Sequence, residues 1–468
     1  MCGDFMGRAR SPPTVPIVPP MKHADEHQSF EPTGPPALGG ADLPAASAAP
    51  SSALSRLFRP RRPAVFEPLR IRDFRLFWAG QSVSMVGDGI YTVAIAWQVY
   101  SLSNVPTALA VVGIAQTVPL VAFVLVGGAL ADRVDRRRMM IVGTAIPGAA
   151  IAALALLGYA NALELWHIWL ISAAVGLGRA VFGPASGAFV PDIVPARMLV
   201  EANSLAQLVR PLASTLLGPA LGGLLVASVG TATCFAIDAA SFGAAVTTLL
   251  LIRSRPVVRA EHTRLLADIR EGFAYIRRHV WIWGTLTMAT VWVVVLLGPF
   301  DVLVPYIVKN EIGGGAGALG IVYACGGIGA IAAAAWTGQL GMPRQPVTRM
   351  LLGWSLACAT VSGVALATAT WQAALAMVGF NALITFSEIV WITLLQRLVP
   401  TQLLGRVRSL DWMLSVGLVP ISFALTGPIA DALGARTTLA AASIISATIA
   451  LATLLLPGMR ADPEPARP

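Results

Sequence analysis

The sequence predicts an all-α membrane protein: twelve transmembrane helices in two six-helix, pseudo-symmetric halves. Composition is the first reason. Of 468 residues, 56% are hydrophobic and 12% charged, with a mean hydropathy of +0.71. A soluble domain carries about twice that charge. The second reason is recurrence: apolar runs of about 20 residues, each able to cross about 30 Å of hydrocarbon as a helix, follow one another along the chain. The short alternating strands of a membrane barrel do not appear in the pattern. The third is an internal repeat that divides the spans six and six.

The elements come in this order. Residues 1–68 are rich in Pro, Ala and Ser without an apolar run, which predicts a disordered N-terminal tail and no signal peptide. Residues 69–252 hold the first six spans, near 76–99, 106–130, 139–160, 166–188, 204–228 and 233–252. Residues 253–280 form a linker in which Leu265, Leu266, Ile269, Phe273 and Ile276 recur at helical spacing, with Arg270, Arg277 and Arg278 among the polar positions. That pattern predicts an amphipathic helix lying on a membrane face. Residues 281–456 hold spans seven to twelve, near 281–306, 317–340, 349–369, 371–395, 409–433 and 437–456, and 457–468 form a C-terminal tail. The repeat lies at corresponding places of the two halves. Val194-Pro195 leads to Ser204-Leu205, and Val399-Pro400 to Ser409-Leu410. Pro211 precedes Gly218-Pro219 by the same interval as Pro420 precedes Gly427-Pro428. Parallel halves of this kind place a central cavity between them near the bilayer midplane.

Charge sets the orientation. The net charge is +9. Arg179 and Arg210 fall inside or at the start of spans, and Lys309 and Arg436 lie on one side. All the other basic residues lie on the opposite side, with the N-terminus. The excess of positive charge marks the cytoplasmic side, so both termini and the linker are expected there, in a multi-pass protein of the inner (cytoplasmic) membrane. The same bias accounts for the basic balance without nucleic acid. Arg56, Arg59, Arg61, Arg62, Arg70, Arg72 and Arg75 would meet anionic headgroups. Cys2, Cys234, Cys325 and Cys358 form no C-x-x-C pair, and the five histidines have no ligand spacing. No metal and no cofactor is expected. Gly313-Gly314-Gly315 lacks the Gly-Lys-Ser/Thr of a phosphate loop, and no Ser-His-Asp set appears, so the chain is not read as an enzyme.

The run Gly127 to Arg138 is the most informative stretch. It turns two spans around on one side within a few residues and carries four arginines near two aspartates. Its pattern resembles the loop between helices 2 and 3 of the major facilitator superfamily, mapping onto Gly128, Leu130, Asp132, Arg133, Arg136 and Arg137. The resemblance implies a gate: Gly128 for close helix contact, Leu130 for packing, and Asp132 meeting the start of helix 11 and nearby arginines. Asp135 stands where the family commonly has glycine. Positive-inside charge alone would explain the arginines but not Asp132. In the fifth span, Gly218-Pro219-Ala220-Leu221-Gly222-Gly223 resembles the motif of proton-coupled drug exporters, with Ser214 in place of its first glycine. Proline bends a helix and glycines admit a neighbour, although generic packing would also select them. Leu69 to Gln81, Gly87-Asp88, and Gln396-Arg397 to Ser409 resemble the opening and a later segment of the exporter branch that includes the enterobactin exporter and macrolide efflux proteins.

Charged residues at membrane depth are expensive and normally paired. Arg179 and Gly183 partly resemble the family's R-x-x-Q-G element, with Phe182 for glutamine. Asp88, between Gly87 and Gly89, is the expected partner of Arg179. Asp88, Arg179 and Glu388 are the candidates for proton coupling, although an ion pair that only fixes helix packing would look the same. Asp238 and Asp301 fall toward the outer ends of their spans and are expected to reach water. Glu201 and Asp411 are expected in ion pairs near loop ends. Trp97, Trp166, Trp169, Trp281, Trp283 and Trp371 read as belt anchors. The expectation is a monomeric secondary transporter whose partners are a small-molecule substrate, protons and the bilayer: a proton-coupled exporter of amphipathic compounds. A facilitator or importer of one metabolite, and a transport-inactive receptor or scaffold, are the alternatives.

Overall fold

The structure, a computed structural model, describes residues 64–131, 134–253 and 265–459. Asp132, Arg133, most of the linker before Leu265, and residues 1–63 and 460–468 of the predicted tails lie outside the described residues. Among those described, every regular element is helical. Eleven helices are long and apolar enough to cross a membrane. The twelfth candidate, Arg72–Leu102, has 31 residues but is more polar, carrying Gln81, Asp88 and Gln98. It packs lengthwise beside the fifth and sixth spans, which is why it is counted as the first span.

The next spans are Pro106–Ala131, Arg136–Tyr159 and Leu165–Ile193. The fifth runs through Leu199–Arg210, Pro211–Leu217 and Gly218–Val229, and the sixth is Thr231–Leu251. The linker helix is Leu265–Arg278. The seventh span is Val280–Glu311. Ala316–Leu340, Pro346–Leu366 and Thr370–Leu398 follow. The eleventh comprises Thr401–Gly417 and Val419–Leu433, and the twelfth is Ala435–Thr453. Several helices outrun their predicted apolar cores, the fifth beginning five residues early at Leu199. Polar interfacial residues such as Glu201 and Gln402 continue a helix into water without being hydrophobic.

The repeat is visible as matched bends. Pro211 opens a π-helical stretch, Pro211–Leu217, in the fifth span. Leu418 interrupts the eleventh, just before Pro420. A proline cannot donate its ladder hydrogen bond, so the helix widens or breaks there. The bent spans carry the contacts between halves. The fifth crosses the eighth where a Cβ on Gly223 would stand 2.7 Å from Gly320 Cα. The eleventh crosses the second where a Cβ on Gly427 would stand 2.9 Å from Thr107 Cα. The remaining contacts fall mostly within each half.

Two expectations about the tails need correction. The N-terminal tail was expected to be disordered to residue 68, but Ala64–Arg70 is a 3-10 helix packed on the start of the fifth span. Pro68 is buried there. The C-terminal tail was expected to start at 457, yet Met459 is fully buried, its methyl group 3.1 Å from the position of a Cβ on Gly284. The missing side chain at Gly284 leaves room for that methionine. The linker helix forms as the spacing predicts and docks on the eleventh span. Ile276 is buried, Gly272 lies against Arg406 and Leu410, Glu271 pairs with Arg406, and Tyr275 Oη donates to the Leu398 carbonyl at 3.3 Å. Phe273 stays exposed.

Candidate transport cavity

Asp88 lies near the middle of the first span. Its Oδ1 accepts from Arg179 Nη2 of the fourth span at 3.0 Å. This is the pairing the sequence pointed to, made across two helices. Both side chains are partly accessible, 33% for Asp88 and 45% for Arg179, because they face a cavity of about 450 Å³. A volume of this size suits a small organic molecule. The polar lining includes Gln81, Ser84 and Thr144, with Arg210 as a second guanidinium. Met85, Phe182 and Phe242 supply apolar surface. Phe182, which replaces the family's glutamine, is thus a wall of the cavity.

The glycines flanking Asp88 have separate reasons. A Cβ on Gly87 would lie 2.2 Å from Ser241 Oγ and 2.4 Å from Asp238 Oδ1 of the sixth span. A Cβ on Gly89 would lie 2.7 Å from Gly218 Cα. The Gly-Pro element of the fifth span therefore presses on the first span one residue from Asp88. Farther along, Gly222 meets Ile90, with Ile90 Cα 3.0 Å from the position of its Cβ, while Gly223 faces Gly320 in the other half. All four motif residues, Gly218, Pro219, Gly222 and Gly223, are buried.

The other acids divide. Asp238, expected to reach water, does not: it is 0% exposed. Its sixth-span face turns toward the first span rather than outward, and helical rotation cannot be read from depth alone. Ser241 Oγ bonds its carbonyl at 2.8 Å and its Oδ1 at 3.3 Å. Its Oδ2 has no hydrogen-bond partner among the described residues. Asp301 is exposed, and so is Glu388 of the tenth span. The expected ion pairs of Asp411 and Glu201 are not formed among the described residues. Asp411 accepts from Trp391 Nε1 at 3.2 Å, and Glu201 Oε2 is buried without a hydrogen-bond partner there. Among the described residues no cluster of His, Cys, Asp and Glu could hold a metal.

The charged loop is only partly described. Asp132 and Arg133 lie outside the described residues, as does the side chain of Leu130. Asp135 is the N-cap of the third span, its Oδ1 accepting from the backbone of Arg137 at 2.8 Å and Arg138 at 3.3 Å, which explains an aspartate where glycine is common. Arg136 Nη1 grips Asp192 at 2.7 and 2.8 Å. Arg137 donates to the carbonyls of Leu249 and Leu250 at 2.7 and 2.6 Å, where a cation complements the end of the sixth helix. The close helix contact expected at Gly128 belongs to its neighbour. A Cβ on Gly127 would stand 2.4 Å from the Ala180 carbonyl, whereas Gly128 faces open space.

At the opposite end of the spans, side chains tie the two halves together. Tyr100 Oη donates to the Val302 carbonyl at 2.7 Å. Asn104 Nδ2 donates to Asn310 Oδ1 at 2.7 Å, and Thr107 Oγ1 to Asp431 Oδ2 at 2.9 Å. Lys309 donates to the Tyr100 carbonyl and sits 5.4 Å from the centre of the Trp97 ring. Sequence reasoning missed this set, because it joins residues more than two hundred positions apart, and Lys309 and Asp431 meet a carbonyl and a hydroxyl there rather than an opposite charge.

Two bent-span halves, with a charged pair in the wall of a polar cavity that spans of the first half line by themselves, rather than both halves as the repeat suggested, define the class: a transporter of the major facilitator superfamily. The chain belongs to the transmembrane secretion effector family, whose profile matches residues 63–467. It is 24% identical over 369 residues to macrolide efflux protein A of Streptococcus pyogenes, covering 77% of this chain and 90% of that protein. It is 27% identical over 393 residues to the multidrug efflux pump Tap of Mycobacterium tuberculosis, covering 81% and 92%. Among solved structures, a bacterial homologue of the iron transporter ferroportin in an inward-facing state aligns with a TM-score of 0.62 and 17% identity, over 82% of this chain and 98% of that one. A bacterial homologue of the lysosomal transporter Spinster aligns at 0.61 and 14%, over 86% and 100%. These two alignments bear on the fold. The protein is a multi-pass membrane transporter and not an enzyme.

Proposed function

We propose that the protein exports amphipathic small molecules from the cytoplasm in exchange for protons, by alternating access of its two halves. The observation that carries this reading is the Asp88–Arg179 pair in the cavity wall. A carboxylate there can trade its guanidinium for a proton, which neutralises the carboxyl and frees the guanidinium to meet another anion, since a charge at membrane depth needs a partner. The exchange alters the charge that a bound molecule meets. The mixed polar and aromatic lining suits amphipathic compounds, and the efflux relatives support the outward direction.

In this reading the arginine-bearing loop and both termini face the cytoplasm, the protein sits in the inner membrane, and one chain suffices. The bonds from Tyr100, Asn104, Thr107 and Lys309 then lie on the outer side, so the conformation described is closed outward. Glu388 is a second protonatable group in the other half, and Asp132 with Arg133, Arg136 and Arg137 is the inner gate.

Protein reconstituted in liposomes tests the reading, with ethidium and a labelled macrolide as probes. Proton-driven flux in the export direction is expected. Flux indifferent to the gradient would instead favour a facilitator, and no flux of any probe a receptor or scaffold.

A further inference from the structure

We propose that Asp238 is a second proton-handling carboxyl of this transporter, sharing one proton with Asp88 across Arg179. The proposal rests on the proton-coupled reading of the same site.

Three observations carry it. Asp238 is fully enclosed by protein, with Oδ2 unpartnered among the described residues. Its Oδ1 lies against Gly87, the residue next to Asp88, so closely that no side chain fits there. The charged groups that act on it are Asp88 and Arg179. Arg210 of the fifth span lines the same cavity beside Asp88, but it is exposed and is not among the charges that act on Asp238, so Arg179 is the cation left to balance a second, enclosed anion. The first span contributes Asp88 and Tyr91, and the sixth contributes Ser241. The outer section of the fifth span, Gly218–Val229, has no ionisable residue. The arginines of the third span stand at its far end, Arg136 bound to Asp192 and Arg137 to the end of the sixth span.

Two carboxyls thus share one guanidinium. Removing two anions from water with a single cation leaves an uncompensated buried charge, which is strongly unfavourable. One proton held by the trio removes it. In the conformation described, Arg179 engages Asp88, so the proton resides on Asp238. When Arg179 releases Asp88, the proton leaves an Asp238 oxygen and bonds to an Asp88 oxygen, and the guanidinium then compensates the Asp238 carboxylate. The net charge of the trio is unchanged. Asp88, which faces the cavity, exchanges with water, while Asp238 stores the proton out of reach of water. This gives Gly87 a function besides packing: it brings the two carboxyls together.

Infrared spectroscopy of the protein in lipid at neutral pH tests this without any transported molecule, so its outcome is independent of whether export is observed. A component of the protonated carboxylic acid carbonyl stretch is expected in the wild type and lost in Asp238→Asn, any contribution of Glu388 being common to both. Asp88→Asn is expected to abolish the same band, because Arg179 is then left with Asp238 alone, an effect a purely structural Asp238 would not show. Arg179→Gln is expected to enlarge the band, and Ser241→Ala to shift it by removing a hydrogen bond. If Asp238→Asn fails to fold, the other variants decide. A band unchanged by Asp88→Asn and Ser241→Ala, or no protonated acid in the wild type, would overturn the proposal.

Discussion

Gly89 and Gly218 touch backbone to backbone: a Cβ on Gly89 would stand 2.7 Å from Gly218 Cα, and one on Gly218 would stand 2.6 Å from Gly89 Cα. The contact joins the Gly-Pro element of the fifth span to the residue beside Asp88. A shift of the bent fifth span is therefore felt at the ion pair.

The glycine crossings should be intolerant of volume. Gly222→Leu would press on Ile90, and Gly223→Leu on Gly320 across the halves. Overpacking of this kind costs about 1–3 kcal/mol, roughly a tenfold or greater loss of transport if it falls on one conformation. Gly243, whose Cβ direction is open, is the control, and Gly243→Leu should keep wild-type flux. Gly230 is a poor control because its φ of +83° disfavours any side chain. Equal flux from all three leucine variants would make the motif incidental.

The bonds between halves should open during transport. Asn104 and Asn310 are in direct contact at 2.7 Å, so Asn104→Cys with Asn310→Cys should crosslink under oxidation. Flux is then expected to stop and to return on reduction. Unimpaired flux in the crosslinked protein would mean that this end never separates.

Asp132→Asn keeps every arginine of the loop and so should preserve membrane insertion. Flux is expected to fall about tenfold, since the carboxylate that the family resemblance makes part of the gate is gone. Wild-type flux at wild-type expression would reduce the loop to a topology signal.

The parts of the fold that depend on composition and spacing could be read from the sequence. Apolar runs gave the spans, the repeated prolines gave the division into two halves, and the linker periodicity gave its helix; the bends at Pro211 and Leu418 came from the structure. The Asp88–Arg179 pair was legible because a charge at membrane depth requires a partner and few candidates existed. Asp238 was misread because its depth suggests water, whereas its burial depends on which face of the sixth span meets Gly87. The Gly127 contact was assigned one residue away for the same reason: a register of one residue turns a helix position by about 100°. The ties of Tyr100, Asn104 and Thr107 to the other half carry no local signal, since asparagine and threonine near a span end are ordinary.

The central claim is that Asp88 exchanges a proton for Arg179 in each cycle. Flux of ethidium and of a labelled macrolide into inside-out proteoliposomes under an imposed proton gradient, compared between wild type and Asp88→Asn, tests it most directly. The amide keeps the shape and can still accept from Arg179, but it cannot carry a proton. The account expects gradient-driven flux to fall to background, with probe binding to the detergent-purified variant partly retained and Glu388→Gln showing a smaller loss. Asp88→Asn transporting at the wild-type rate with the wild-type pH dependence would contradict it.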